Sequence, residues 1–77
     1  MANDKKPIVE ITINNTHYSI ERGNYSVEQI KNLGHVPLAD DLLEILDKKL
    51  KTLNDNAHVE IKGGEVFVSH PKGSASS

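Results

Sequence analysis

The chain contains no cysteine and no tryptophan among its 77 residues. Without cysteine it has no disulfide, no thiolate-bound metal and no thiol nucleophile. Its first ten residues, MANDKKPIVE, are charged and lack an apolar segment, so no secretory signal peptide is expected. No apolar run approaches the roughly 20 residues that cross a bilayer. These absences predict a single small cytoplasmic domain without a membrane partner.

An excess of basic charge is also lacking, because nine Lys and Arg stand against 11 Asp and Glu, a formal net charge of −2. Binding along nucleic-acid phosphates needs Lys and Arg in excess on one face. Lys48, Lys49 and Lys51 do cluster, but acids directly precede them, so we expect a mixed solvated face. Two Tyr and one Phe are too few for a base-stacking platform. Nucleic acid is therefore not an expected partner.

Strand-forming residues are present from Pro7 onward. Ile8–Ile13 is rich in β-branched residues, and Thr16–Glu21 alternates apolar with polar side chains. Between them lie Asn14 and Asn15, which tolerate the left-handed backbone that a two-residue turn requires. The pattern predicts a β-hairpin over residues 8–21.

A loop over residues 22–25 and then a short helix are expected next. Ser26 followed by Gln29 has the form of a capping box, in which each side chain accepts a hydrogen bond from the other residue's backbone N–H. Gly34 suits the left-handed position after a helix, and Pro37 prevents continuation. These signals predict a helix over Val27–Leu33.

Residues 40–53 admit two interpretations. Leu42, Ile45, Leu46, Leu50 and Leu53 have helical spacing, with acids at the start and lysines at the end, as the helix dipole prefers. Alternatively, residues 41–46 form a strand in which Leu43 and Ile45 face one way, and residues 48–53 form a loop. Local propensity alone favours the helix.

The C-terminal part has two further β-rich runs, residues 59–62 and residues 65–69. Gly63 and Gly64 separate them, and their freedom to adopt positive φ suits a turn or bulge. In the second run Val66 and Val68 share one face and Phe67 takes the other. The residues that follow favour no regular structure, so an exposed tail is expected.

No constellation predicts catalysis or a bound cofactor. His17, His35, His58 and His70 lack the spacing of metal ligands. Asp40, Asp41 and Glu44 are the candidates for paired carboxylates in acid–base chemistry. Adjacent acids in a strand point to opposite faces, so we expect a solvated edge instead. Gly63-Gly64 lacks the spacing of a phosphate-binding loop. The protein is therefore not expected to be an enzyme.

The ordered set of pieces ITINNTHYSI, SVEQIKNLG, LADDLLEIL and LKTLNDNAHVEIKGGEVFVSHP resembles the bacterial multiubiquitin-type domain, a ubiquitin-like family. The resemblance covers nearly the whole chain, although family members typically carry several such domains in tandem. It implies an α+β fold of the β-grasp type, a mixed sheet of four to five strands with one short helix. The domain is then 8–70, with flexible ends at 1–7 and 71–77. It also favours the strand at 41–46, which we adopt.

The resemblance further implies a protein modifier. In such systems an E1-like activating enzyme uses ATP to adenylate a C-terminal glycine, an E2-like conjugating enzyme passes it to a target protein, and a JAB-type metalloprotease processes the precursor. Gly73 is the only glycine of the tail, so cleavage between Gly73 and Ser74 would expose it. His70, Pro71 and Lys72 would then reach the enzymes.

Three side chains are candidates for the surface that the enzymes recognise: Thr12, Tyr18 and Phe67. Core packing is the alternative role for Phe67. An unprocessed tail is the alternative to cleavage after Gly73. Two alternatives to the modifier also stay open: a β-grasp interaction module that is never conjugated, and a sulfur carrier, which normally ends in Gly-Gly. This chain ends in Ser77.

Overall fold

A computed structural model describes residues 7–71 of the chain as strands and one helix. In chain order these are β1 (Ile8–Ile13), β2 (Thr16–Glu21), β3 (Gly23–Ser26), α1 (Val27–Leu33), β4 (Asp40–Leu46), β5 (Lys49–Leu53), β6 (His58–Ile61) and β7 (Val66–Pro71). The five-stranded sheet has the order β2-β1-β7-β4-β5, and β3 pairs with β6 in a two-stranded sheet. The fold class expected from the sequence, an α+β protein of β-grasp type with one short helix, is confirmed.

The β1–β2 hairpin forms where it was predicted. Its strands pair in antiparallel register from Ile8 opposite Glu21 to Ile13 opposite Thr16. Asn14 and Asn15 make the turn with φ of 51° and 69°. Two residues with positive φ match the right-handed twist of the flanking strands, which is why asparagine suits both positions.

Helix α1 has its predicted bounds and its predicted N-terminal cap. The backbone N–H of Gln29 donates to Ser26 Oγ at 3.0 Å, and the backbone N–H of Ser26 donates to Gln29 Oε1 at 2.8 Å. The expectation of a left-handed Gly34 is wrong, since its φ is −90°. His35 takes the left-handed conformation instead, with φ of 59°.

Gly34 is required for a different reason, the close approach of the helix end to β1. A Cβ at this position would lie 2.6 Å from Cγ2 of Ile13, which is shorter than any relaxed carbon–carbon contact. Ile13 is itself buried in the core. The absence of a side chain therefore lets α1 pack against the sheet.

Residues 40–46 form strand β4, so the strand adopted for 41–46 is confirmed and the helix is not formed. The loop expected at 48–53 is wrong, because β5 turns back from β4 through Asp47 and Lys48, both with positive φ. Leu53 lies opposite Leu42, and both are buried. Burial of this cross-strand pair explains why the leucines form a hairpin despite their helical spacing.

The loop expected at residues 22–25 is also partly wrong. Gly23–Ser26 forms β3, which pairs antiparallel with β6. The strand expected at residues 59–62 is β6, starting at His58. Local sequence gave little sign of β3 because its partner lies more than 30 residues along the chain, as in Gly23 opposite Ile61.

Strand β7 occupies the centre of the main sheet. It runs parallel to β1, with Phe67 beside Ile13, and antiparallel to β4. The expected turn at Gly63 and Gly64 is confirmed, with φ of 117° and 85°, and it leads from the small sheet into the main one. Two parallel strands cannot be joined by a tight turn, so the connection from β1 to β7 runs through all the elements between them.

The core lies between the main sheet and α1. It is apolar, and its buried members are Ile11, Ile13, Val27, Ile30, Val36, Leu42, Leu53, Val59, Ile61 and Phe67. Phe67 is completely buried, so it packs in the core. The prediction that it belongs to an exposed recognition surface is wrong. Within residues 7–71 no helix is long and apolar enough to span a membrane.

Candidate functional site

The end of β7 is the point from which the C-terminal residues continue. His70 lies opposite Asp41 and Pro71 opposite Asp40, so both belong to the paired strand. The last strand was expected to end at Ser69 and the flexible tail to begin at Pro71, but the strand extends as far as Pro71. Lys72, Gly73 and Ser74 lie outside the described residues, and their expected roles stay predictions.

The sheet has an open face, on the side away from the core. Side chains alternate along a strand, so Val66 and Val68 point away from buried Phe67 and onto this face. Leu43 lies opposite Val68 in β4, and Ile45 lies opposite Leu50 in β5. These residues form what we call the open-face strip: Leu43, Ile45, Leu50, Val66 and Val68.

Exposure varies along the open-face strip. Leu43 is buried by its neighbours although it lies outside the core cluster, and Val66 and Val68 are half-buried. Ile45 is 37% exposed and Leu50 62% exposed. Apolar side chains that share one exposed face of a sheet are typical of protein contact sites. Alternation within residues 41–46 predicted that Leu43 and Ile45 share one face. Leu50 was not predicted to join them, because the segment that forms β5 was expected to be a loop.

Of the three residues predicted for the recognition surface, only Thr12 lies on the open face. It is half-buried and lies opposite Val66 of β7. Tyr18 lies opposite Ile11 and packs against the core cluster, on the same side as Phe67. The sheet therefore separates the three candidates, and Tyr18 and Phe67 serve packing.

Thr12, His17 and Glu10 form a polar group on the open face that resembles a hydroxyl–imidazole–carboxylate set. Nδ1 of His17 is 3.0 Å from Thr12 Oγ1 and 3.6 Å from Glu10 Oε2. A nucleophile relay needs one ring nitrogen on the hydroxyl and the other on the carboxylate. Here both contacts fall on the same nitrogen, so this arrangement does not activate Thr12.

A second polar group surrounds Lys31, which is only 2% exposed. Its Nζ donates to the backbone oxygen of Leu38 and to Asp55 Oδ1, each at 3.0 Å. A cavity of about 220 Å³ adjoins it, lined also by Glu28 and Asn56. Pockets for drug-sized ligands begin at about 300 Å³. We interpret Lys31 as a structural residue that ties α1 to the following loops, a role that nothing in the sequence pattern indicated.

Glu44 departs from the solvated edge expected for the acids of β4, because it is buried. Desolvation raises its pKa above the ordinary value, and the charge of Glu65 raises it further, while Lys51 lowers it. Glu65 is itself engaged, since its carboxylate accepts hydrogen bonds from the backbone N–H groups of Lys62 and Gly63. In the part of the chain that the structure describes, no group of three or more His, Asp or Glu is arranged to hold a metal ion.

The fold and its surfaces define a small β-grasp protein whose last strand is central and whose sheet has one open, partly apolar face. Compared with protein-family models, with curated proteins and with solved structures, the chain has no significant match. Its function is therefore inferred from the position of its strands and from the chemistry of its surfaces.

Proposed function

We propose that the protein is a ubiquitin-like modifier of the bacterial cytoplasm, activated at Gly73 and conjugated to target proteins. An E1-like enzyme would adenylate the Gly73 carboxylate with ATP, an E2-like enzyme would transfer it, and a JAB-type metalloprotease would first remove residues 74–77. The observation that supports this most is the central position of β7 between β1 and β4. At its start β7 pairs with β1, through Val66 and Phe67, and from Phe67 to Pro71 it pairs with β4. The tail therefore continues from a strand inside the sheet and not from an edge strand.

The distance from the end of β7 to Gly73 constrains how activation would proceed. Only Lys72 separates Pro71 from Gly73, and two fully extended residues span about 7 Å. An enzyme whose active site lies deeper than this must release His70 and Pro71 from their pairing with Asp41 and Asp40. Activation would then include a local opening of the β4–β7 pair at its end.

The open-face strip supplies the recognition surface in this proposal. It includes Val66 and Val68, which lie on the strand that leads to Gly73. An enzyme bound there would hold the tail at a fixed distance from the enzyme's active site. Such positioning raises the effective concentration of the Gly73 carboxylate at that active site. Leu50 and Ile45 are the exposed members that a partner would cover.

Intact-mass measurement tests the processing step. The full chain is incubated with the JAB-type metalloprotease of the source organism, and the proposal predicts loss of residues 74–77. Gly73→Val should block this cleavage because a branched side chain does not fit a narrow channel, while Ser76→Val, which places a valine beyond the cut, should not. Cleavage elsewhere, or equal cleavage of both variants, contradicts Gly73 as the mature end.

A non-conjugated β-grasp interaction module is the second candidate. The exposed apolar members of the open-face strip favour it, since they suit a binding partner whether or not Gly73 reacts. Removal of residues 72–77 separates the two functions. The interaction module keeps its partner after this truncation, whereas the modifier loses all transfer to E1-like and E2-like enzymes.

A further inference from the structure

The β4–β5 hairpin ends the main sheet on one side. Strand β5 is last in the sheet order and pairs with β4 alone among the described strands. In an antiparallel pair, the N–H and C=O groups of every second residue point away from the partner. One edge of β5 therefore offers a row of backbone donors and acceptors to another extended chain.

The side chains around this edge combine positive charge with exposed apolar area. Three lysines lie in the turn and on the strand, and all three are exposed: Lys48, Lys49 and Lys51. Three large apolar side chains of the same hairpin are exposed as well, namely Ile45, Leu46 and Leu50. Because side chains alternate, Lys49 and Lys51 share one face of the hairpin and Leu50 lies on the other. Basic and apolar groups thus alternate along one free edge.

This pattern discriminates between possible occupants of the edge. Two copies of β5 placed side by side would bring lysines against lysines, and like charges on paired strands repel. Nucleic acid is disfavoured by the net charge of −2 and by Asp47 in the same turn. An extended segment with acids opposite the lysines and apolar residues beside Leu50 satisfies both kinds of group.

We propose that the free edge of β5 is a strand-addition site for an extended peptide segment in which acidic and apolar residues alternate. The segment would continue the main sheet beyond β5 through backbone hydrogen bonds, as in other strand-addition complexes. Its carboxylates would face Lys49 and Lys51, and its apolar side chains would extend the surface that Ile45 and Leu50 begin. The site does not involve Gly73, so this proposal is independent of conjugation at Gly73.

A titration followed by NMR tests the proposal. The full ¹⁵N-labelled chain is mixed with a synthetic peptide of alternating Glu and Val, and with a control peptide in which Lys replaces Glu. We expect the Glu–Val peptide to shift the amide signals of β5 and β4, and the Lys–Val peptide to leave them unchanged. Binding should weaken as salt rises, because the paired charges are exposed.

Matched variants locate the site. Lys49→Glu should weaken binding of the Glu–Val peptide about tenfold, since it turns an attractive cross-strand pair into a repulsive one. Arg22→Glu makes the same charge change after β2, at the opposite edge of the sheet, and should leave binding unchanged. Thermal unfolding of each variant establishes that it is folded.

Four results would overturn the proposal: no shift with peptide up to about 1 mM, shifts confined to β2 or to β3 and β6, equal binding of both peptides, or equal weakening by Lys49→Glu and Arg22→Glu. The same β5 shifts produced by a single-stranded oligothymidylate, with none produced by the Glu–Val peptide, would assign the lysines to nucleic acid instead. Concentration-dependent dimerisation through β5 would assign the edge to a second copy of the chain.

Discussion

At the scale of single residues, Glu44 is the side chain whose charge the fold disfavours. Burial and the neighbouring Glu65 raise its pKa, so the folded chain holds a proton there more tightly than the unfolded chain does. For an acid shifted in this direction, stability increases as the pH falls through the raised pKa and levels off below the ordinary value of the unfolded chain. Above that window the ionised carboxylate destabilises the fold.

Glu44→Gln should therefore stabilise the protein at neutral pH by up to about 1 kcal/mol. Urea unfolding at neutral and at mildly acidic pH measures this, and the gain should shrink on acidification because the wild-type carboxyl is then protonated. Glu60→Gln, on exposed Glu60 of β6, is the control and should change stability little at either pH. A variant that is less stable than wild type at neutral pH would show that Lys51 stabilises the Glu44 charge more than burial disfavours it.

Lys31 is a second buried charge, and its partners explain how it is tolerated. Two hydrogen bonds, to Leu38 and Asp55, satisfy the ammonium group while its stem packs in the interior. Lys31→Ala should lower the free energy of unfolding by about 3 kcal/mol, since it removes both the bonds and the volume. Lys31→Met keeps most of the volume and should lose clearly less. Equal losses in urea unfolding would mean that the hydrogen bonds alone carry the effect.

At the scale of elements, the sequence predicts pieces whose signals are local. The β1–β2 hairpin and α1 depend on an Asn-Asn turn and on a Ser26–Gln29 capping box, which a short window contains. Strands β3 and β5 were missed because what fixes them is a distant or cross-strand partner, Ile61 for Gly23 and Leu42 for Leu53. Amphipathic spacing over residues 40–53 favoured a helix, but burial against the rest of the sheet stabilises strands β4 and β5 there.

The same dependence on the assembled fold explains why two of the three candidate recognition residues do not lie on the open face. Alternation predicts which side chains of a strand share a face. Which of the two faces of the sheet is covered by α1 follows only from the assembled fold. Tyr18 and Phe67 consequently lie against the core, and Thr12 alone lies on the open face. The last strand was expected over residues 65–69 and the flexible end from Pro71, yet the pairing of His70 and Pro71 with Asp41 and Asp40 extends β7 through both residues.

Truncation of leucines tests the β4–β5 hairpin as an element. Leu53 is 7% exposed and lies opposite Leu42, so Leu53→Ala should cost about 3 kcal/mol of stability. Leu50→Ala, on a side chain that is 62% exposed, should cost less than about 1 kcal/mol. Urea unfolding compares the two variants. Similar losses would contradict the hairpin, because a helical stripe would bury both leucines alike.

At the scale of the whole molecule, a central last strand and an open sheet face combine two properties that a modifier needs. One is a tail that continues from a strand inside the sheet, and the other is a surface that partners can contact without entering the core. Both are properties of the assembled sheet, since the partners of β7 are β1 and β4, which lie far from it in the sequence. A separate edge at β5 leaves room for a further contact.

The most direct test of modifier function uses chains that end at Gly73 and at Lys72. Each is incubated with ATP and the E1-like and E2-like enzymes of the source organism, and intact mass is recorded with and without thiol reductant. We expect the chain ending at Gly73 to form a reductant-sensitive enzyme adduct and the chain ending at Lys72 to form none. If neither chain forms an adduct with enzymes that are active on their own substrates, or if both do, activation at Gly73 is contradicted.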